Sequence, residues 1–288
     1  MLASAKNPSR RGCAWLAAWF AGLLVAVPVA AAQAKSPKSV RLYVFDNGVI
    51  KGVALASFHP GITTMDMVAS SYLIVHPKGT LIWDTGAIPD AMLKDDATPV
   101  TVGLFTAARK LRAQLAAVGY APENITYLGL SHYHSDHTAN ARDFARATWV
   151  VQEPEREAMF AEKPPAITQP EQYAALKNNE TKLLHGEDFD VFGDGKVVIK
   201  AAYGHTPGHQ VLYVKLAKTG PVLLAGDLYH YQEERGTDKV PTFEFNRMQS
   251  LASRTVIEAF LKKTNAQLWI EHDLEHFKQL KKSPAYYE

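Results

Sequence analysis

Apolar residues along this chain follow two rhythms, and their alternation predicts the order of the elements. Val40–Phe45, Ser71–His76 and Thr80–Trp83 are short runs of β-branched and aromatic residues, which predicts an opening β-meander. Leu104, Phe105, Ala108, Leu111, Leu115 and Val118 recur at helical spacing, which predicts a helix over Val102–Val118 closed by Gly119. Further strands are expected at Ile125–Leu130, Thr148–Gln152, Val197–Ala202, Val211–Lys215, Val222–Ala225 and Ala266–Ile270. Helices are expected at Asp136–Arg146 and Arg247–Lys262. Strands come first, then strands and helices alternate, which is the order of a layered α/β fold. No repeat or low-complexity linker interrupts residues 35–288, so they are expected to form one domain.

The first 34 residues read differently. A basic start carrying Lys6, Arg10 and Arg11 precedes an uncharged apolar run from Ala14 to Ala32, and Ala32-Gln33-Ala34 stands just before Lys35. This is the three-part pattern of a secretory signal peptide spanning 1–34. About 19 apolar residues are also just enough to span a bilayer. Pro28 and the Ala-x-Ala ending favour cleavage, which leaves no stable membrane anchor and places the mature chain in the periplasm or outside the cell. Ser9-Arg10-Arg11 suggests a twin-arginine signal, although Gly12-Cys13-Ala14 fits that motif poorly. Cys13 is the single cysteine, so a disulfide-stapled fold is excluded.

Charge narrows the partners. The whole chain carries 31 basic and 29 acidic residues, and without the leader 28 basic residues face those 29 acids. A near-neutral body does not suit a nucleic-acid binder that relies on phosphate neutralisation, so a small molecule is the expected partner.

The chemistry concentrates in Ser131-His132-Tyr133-His134-Ser135-Asp136-His137, where three of the chain's 11 histidines fall within six positions. Extended backbone puts His132 and His134 on one side. Asp136 and His137 then open a helix and turn a second pair of donors toward the same centre. Imidazole nitrogens with carboxylate oxygens form the donor set of zinc or a similar metal. A split cluster suits two such ions a few ångströms apart. The alternative, an Asp136 that only caps a helix beside surface histidines, is weakened by three more donors. His205, Asp227 and His272 each stand at the end of an expected strand, in Tyr203-Gly204-His205, Ala225-Gly226-Asp227 and Ile270-Glu271-His272.

With these motifs the chain resembles the metallo-β-lactamase superfamily over nearly everything after Val40. That resemblance implies a four-layer αβ/βα sandwich with the site at one edge of two facing sheets. It implies a first metal on His132, His134 and His205, a second on Asp136, His137 and His272, and Asp227 bridging them. Asp84, in Trp83-Asp84-Thr85-Gly86, would orient a ligand histidine. His209 would be a supporting residue, His276 a surface residue, and His59, His76 and His185 ordinary ones.

Similarity is greatest to the N-acyl-homoserine lactonases, through Val118-Gly119-Tyr120-Ala121-Pro122, Thr206-Pro207-Gly208-His209-Gln210, Glu271-His272-Asp273 and the ending Pro284-Ala285-Tyr286-Tyr287. The resemblance implies opening of a lactone ring by hydroxide generated between two divalent ions, with zinc the expected metal and Asp227 shuttling the proton. Asp136, Asp227 and His230 are the expected catalytic residues, and a homodimer is left open. The sequence departs from that family at His230, where a substrate-binding tyrosine is common, and His230 is expected to supply the hydrogen bond in its place. Ser135 replaces an aromatic residue, and Thr138-Ala139 replaces a pair of glycines. A secreted organophosphate hydrolase would share all seven ligands and the signal peptide. A β-lactamase fits less well, because Asp227 has no counterpart there, and a non-catalytic metal-binding protein is the alternative of another class. Phe58, Ile62, Met65 and Met67 lie where this family closes over substrate, but their spacing equally suits a core.

Overall fold

The computed structural model describes residues 36–52 and 66–288. The expected signal peptide at 1–34, with Phe58, His59, Ile62 and Met65, lies outside the described residues. Among those described, β1 (Arg41–Ile50), β2 (Met67–His76) and β3 (Gly79–Trp83) form the expected antiparallel meander. A hairpin of β4 (Val100–Val102) and β5 (Phe105–Ala107) pairs with the far end of β1, and α1 (Leu111–Ala117) follows. Beyond β3 the sheet grows in parallel through β6 (Tyr127–Gly129), β7 (Thr148–Gln152) and β8 (Thr181–Leu184). Between these lie α2 (Ser135–Thr138), α3 (Glu153–Met159) and α4 (Pro170–Tyr173).

The second sheet is an antiparallel run of β9 (Phe189–Asp190), β10 (Val197–Ala201), β11 (Gln210–Leu216) and β12 (Gly220–Leu224). The long α5 (Arg247–Thr264) crosses over to β13 (Gln267–Trp269), which is parallel to β12. After α6 (Leu274–Gln279), β14 (Tyr286–Tyr287) returns to the first sheet beside β1.

Burial explains why these elements pack as they do. Leu42, Val44, Tyr72, Ile74 and Trp83 of the first sheet meet Ile199, Leu212, Val214, Val222 and Trp269 of the second. The other face of the first sheet, with Phe45, Leu73 and Ile82, packs on Leu111 and Leu115 of α1 and Met159 of α3. The other face of the second, with Val211 and Leu223, packs on Ile257 and Leu261 of α5. This is the expected four-layer αβ/βα sandwich. Strands covered on both faces read as continuous apolar runs, which is why the sequence shows runs rather than strict alternation. Each fully buried Leu, Ile or Val contributes about 1.5–3 kcal/mol to the sandwich. Asn246 caps α5 by accepting the Met248 and Gln249 N–H groups, and Asn265 ends it in the left-handed conformation at φ 53°.

Two expected helices are corrected. Val102–Val118 is not one helix: residues 100–107 are the β4–β5 hairpin, and only Leu111–Ala117 is helical. Val100 and Val102 pack with Phe105 against Ile88 and Leu93, so tertiary packing overrides the helical spacing of Leu104 and Phe105. Asp136–Arg146 is likewise a single α-turn followed by a 3₁₀ turn at Ala141–Phe144. Asn140 interrupts it, because its side chain donates to the Thr85 carbonyl and accepts the Asp90 N–H. The short β8, β9 and β14 were not expected from the sequence.

Candidate metal centre

All the expected donors stand where strands of the two sheets end on one edge. The turn after β3 is tied to the turn after β6 by Asp84, whose N–H donates to the Gly129 carbonyl at 3.0 Å. Its Oδ1 accepts the Ser131 N–H at 2.6 Å. His132, His134, Asp136 and His137 follow directly. From the second sheet come His205 after β10, Asp227 after β12 and His272 after β13. At Gly226 (φ +49°) a Cβ would lie 2.8 Å from His209 Nε2 and 2.8 Å from Ser131 Cβ, so only glycine delivers Asp227 to this place.

Asp227 divides the donors. Its Oδ2 lies 3.3 Å from His205 Nε2 and 3.6 Å from His132 Nε2, and His205 Nε2 is 3.1 Å from His134 Nδ1. Its Oδ1 lies 3.2 Å from His137 Nε2 and 3.1 Å from His272 Nε2. Asp136 Oδ2 completes the second group at 3.8 Å from His137 Nε2 and 3.7 Å from His272 Nε2. The donor atoms of His132, His134, His205 and Asp227 all lie within 4.8 Å of one another, as do those of Asp136, His137 and His272. The residues fit two metal ions on a direct observation: His132 Nε2, His137 Nε2 and Asp227 Oδ1 are buried with no hydrogen-bond partner. Leaving such atoms unpaired is costly unless a cation meets them.

The outer nitrogens are held. Ser131 Oγ is 3.0 Å from His132 Nδ1 and 3.2 Å from His137 Nδ1, and Asp84 Oδ2 is 3.2 Å from the latter. Glu244 Oε1 lies 2.8 Å from His205 Nδ1, and the Val68 carbonyl 2.8 Å from His272 Nδ1. Such partners fix which nitrogen faces the centre. His209 stands outside the donor groups, with Nδ1 3.0 Å from the Ala202 carbonyl and Nε2 accepting the Asp227 N–H.

Electrostatics follow burial. Burial, with His137 close by, holds the His132 imidazole well below its ordinary value, and burial with His205 does the same to His134. These rings are neutral and present lone pairs. Burial works against charge on His137 as well, but Asp227, Glu271, Asp136 and Asp84 raise it well above 6.5. Burial would raise the Asp227 carboxyl, yet His272, His137, His132 and His230 hold it well below the usual range.

His230 joins the same cluster. It follows a 3₁₀ turn at Gly226–Leu228, with Nε2 3.1 Å from Asp227 Oδ2 and its ring stacked on His272 at 5.6 Å. Burial opposes its charge, but Asp227 and Glu234 raise it to about 10. Of the neighbouring tyrosines, Tyr229 turns its Oη to Glu258 at 3.1 Å, and Tyr231 packs with Ile50 and Met67. A cavity of about 260 Å³ opens onto Asp136, Asp227, His230 and His272, walled by Ile50, Met67, Leu104, Phe105, Ile167 and Phe243. Leu104, Ile167 and Phe243 are 46%, 45% and 39% exposed, so apolar surface rims a charged centre.

The remaining histidines lie apart. His76 is buried, stacked on Phe192 with Nε2 3.0 Å from Asp194, His185 pairs with Glu153, and His276 sits on α6. Sequence reading missed four buried carboxylates, among them Glu234, which accepts the His230 N–H at 3.3 Å. Glu244 supports His205, and Glu271 lies 3.5 Å from His137 Nδ1, pushed well above the carboxylate range by burial and Asp84. Glu155 bonds the turns on either side of the centre, and burial pushes it up to about 7. Only Glu271, adjacent to His272, carried a signal of position.

A model of the metallo-beta-lactamase superfamily matches residues 65–266. The N-acyl homoserine lactonase AttM of Azorhizobium caulinodans is 27% identical over 260 residues, covering 86% of this chain and 99% of that protein. An N-acyl homoserine lactonase from Bacillus sp is 29% identical over 234 residues, covering 77% of this chain and 88% of its own. A solved quorum-quenching N-acyl homoserine lactone lactonase superposes with a TM-score of 0.73 at 25% identity, covering 87% and 99% of the two chains. AidC, described as a dizinc quorum-quenching lactonase, superposes at 0.63 with 18% identity over 86% and 94%.

Proposed function

Because this chain belongs to the metallo-beta-lactamase superfamily, with its donors gathered beside an apolar cavity, we propose that it hydrolyses N-acyl-homoserine lactones at a centre of two divalent ions, zinc by preference. The observation that carries this reading is the division of Asp227, one oxygen to each histidine group. Relatives named as N-acyl homoserine lactonases along nearly their whole length support the substrate.

His132, His134 and His205 would hold one ion, Asp136, His137 and His272 the other, and Asp227 both. Bound there, the pair supplies Lewis acidity and lowers the pKa of water toward neutrality. The chain's residues do the rest. The wall of Ile50, Met67, Phe105 and Phe243 takes the acyl chain and excludes bulk water. Asp227 receives the proton released when water adds to the lactone carbonyl, and returns it to the ring oxygen as the C–O bond breaks. His230, facing the same cavity, donates a hydrogen bond to the substrate where relatives of this family commonly use a tyrosine. Water is consumed, and the product is the open N-acyl-homoserine.

The experiment is a substrate panel on one zinc-loaded sample: acyl-homoserine lactones, a paraoxon-type triester and a cephalosporin. Lactones should show the highest kcat/KM. Preferential turnover of the triester would transfer the assignment to organophosphate hydrolysis. We infer in addition that residues 1–34 direct export and are removed after Ala34, a reading supported by the apolar run and by Ala32-Gln33-Ala34.

A further inference from the structure

The turn carrying His132 and His134 and the turn carrying His205 belong to different sheets, and one buried side chain touches both. Glu155 lies in the first turn of α3 and is 2% exposed. Its Oε1 accepts the Tyr133 N–H at 2.7 Å, and Tyr133 stands between His132 and His134. Its Oε2 accepts the Thr206 hydroxyl and the Gly208 N–H, both at 2.8 Å, and Thr206 follows His205. Gly208 lies flush against the same turn: a Cβ there would stand 2.6 Å from Glu155 N and 2.7 Å from Glu155 Cβ. The second turn is therefore seated on the helix that presents the carboxylate.

We propose that Glu155 is a positioning residue for the three-histidine site, setting the separation between His132 and His134 on one side and His205 on the other. The proposal rests on the reading that these three residues hold a metal. Its role differs from that of Glu244 and the Val68 carbonyl, which orient rings already placed by the backbone, and from that of Asp84, which ties two turns of the first sheet alone. Glu155 instead fixes one backbone turn relative to the other. A carboxylate suits this task because both oxygens accept, so one group can take N–H and O–H donors from two directions at once. Glutamine offers a single acceptor oxygen and an amide NH₂, which would face a donor on one side. The Gln210 N–H also donates to the Ser131 carbonyl at 2.9 Å, at the strand end of the same contact, and Glu155 completes the link beside His134 and His205 themselves.

The test compares wild type, Glu155→Gln and Glu155→Ala as folded full-length mature proteins. Zinc affinity is measured by chelator competition, and the cobalt-substituted forms are compared by visible absorption. Supporting residues of metal ligands typically change affinity by about 10–100-fold, and a loss of that size is expected at one of two sites, with an altered cobalt spectrum. Saturating zinc should restore much of the lactonase kcat, which a merely destabilised variant would not show. Should the Glu155 variants fail to fold, Thr206→Val removes one of the three bonds at similar volume and is read in the same way. Wild-type affinity and an unchanged spectrum in the folded variants would overturn the role of Glu155 alone. Wild type that binds no metal would overturn the metal reading beneath it.

Discussion

The backbone N–H of Asp227 donates to Nε2 of His209 at 3.0 Å, so the carboxylate shared by both donor groups is held from behind by a neutral imidazole. Burial, with His205 near, lowers His209 to about 3. In the unfolded chain the same ring titrates near 6.5. Below pH 6.5 the unfolded state therefore takes up a proton that the folded state refuses. Stability present above that pH is lost progressively as pH falls through 3, by about 5 kcal/mol in total. Urea unfolding of zinc-free protein between pH 7 and 4.5 should show this slope, reduced in His209→Gln. An equal slope in both proteins removes His209 from the account.

Replacing the shared carboxylate should separate the two sites. Asp227→Ala is expected to bind one metal equivalent or fewer where wild type binds two, measured by elemental analysis of dialysed protein. Active wild type containing a single metal would end the dinuclear reading.

His230→Ala should lower kcat/KM for a lactone by about 100- to 1,000-fold, the usual cost of one hydrogen bond made in the transition state. Both metals should remain bound. His230→Tyr should recover part of the loss, since a phenol donates from a similar reach. Tyr229→Phe, whose hydroxyl faces Glu258, should be nearly silent. Unchanged turnover in His230→Ala would remove the assigned donor.

The exposed apolar rim should make activity depend on acyl length. Each methylene buried on Leu104, Ile167 or Phe243 adds about 0.8 kcal/mol of binding. kcat/KM is expected to rise from butanoyl to decanoyl lactones, and Phe243→Ala should flatten that rise by raising KM for the longer substrates. A flat series in wild type would place the acyl chain in solvent.

Mass spectrometry of the exported protein should find an N-terminus at Lys35. An intact Met1 in a cytosolic fraction overturns the export reading.

The centre was unusually readable from the chain alone, for a physical reason. Metal chemistry demands particular donor atoms, and the layered fold delivers them at strand ends, so both residue type and position left a mark at His132, His205, Asp227 and His272. Residues acting through hydrogen bonds left less. Glu155 sits in Glu153-Pro154-Glu155, where an acid in a first helical turn is ordinary, and only the fold brings Tyr133 and Gly208 to it. Periodicity failed at Leu104 and Phe105, whose spacing suits a helix while their neighbours pair as a hairpin. It failed again after His137, where Asn140 bonds the Asp84–Ile88 turn instead of continuing a helix. Both errors are long-range contacts overriding local preference.

The two donor groups each draw from both sheets: His132, His134, Asp136 and His137 from one, His205, Asp227 and His272 from the other. Neither sheet alone can assemble a complete coordination sphere, and the donors of the first lie more than 60 residues before those of the second, from His137 to His205. Complete metal coordination therefore requires the two sheets to have docked, a long-range event in folding. The rate of zinc incorporation into refolding protein becomes a clock for that docking.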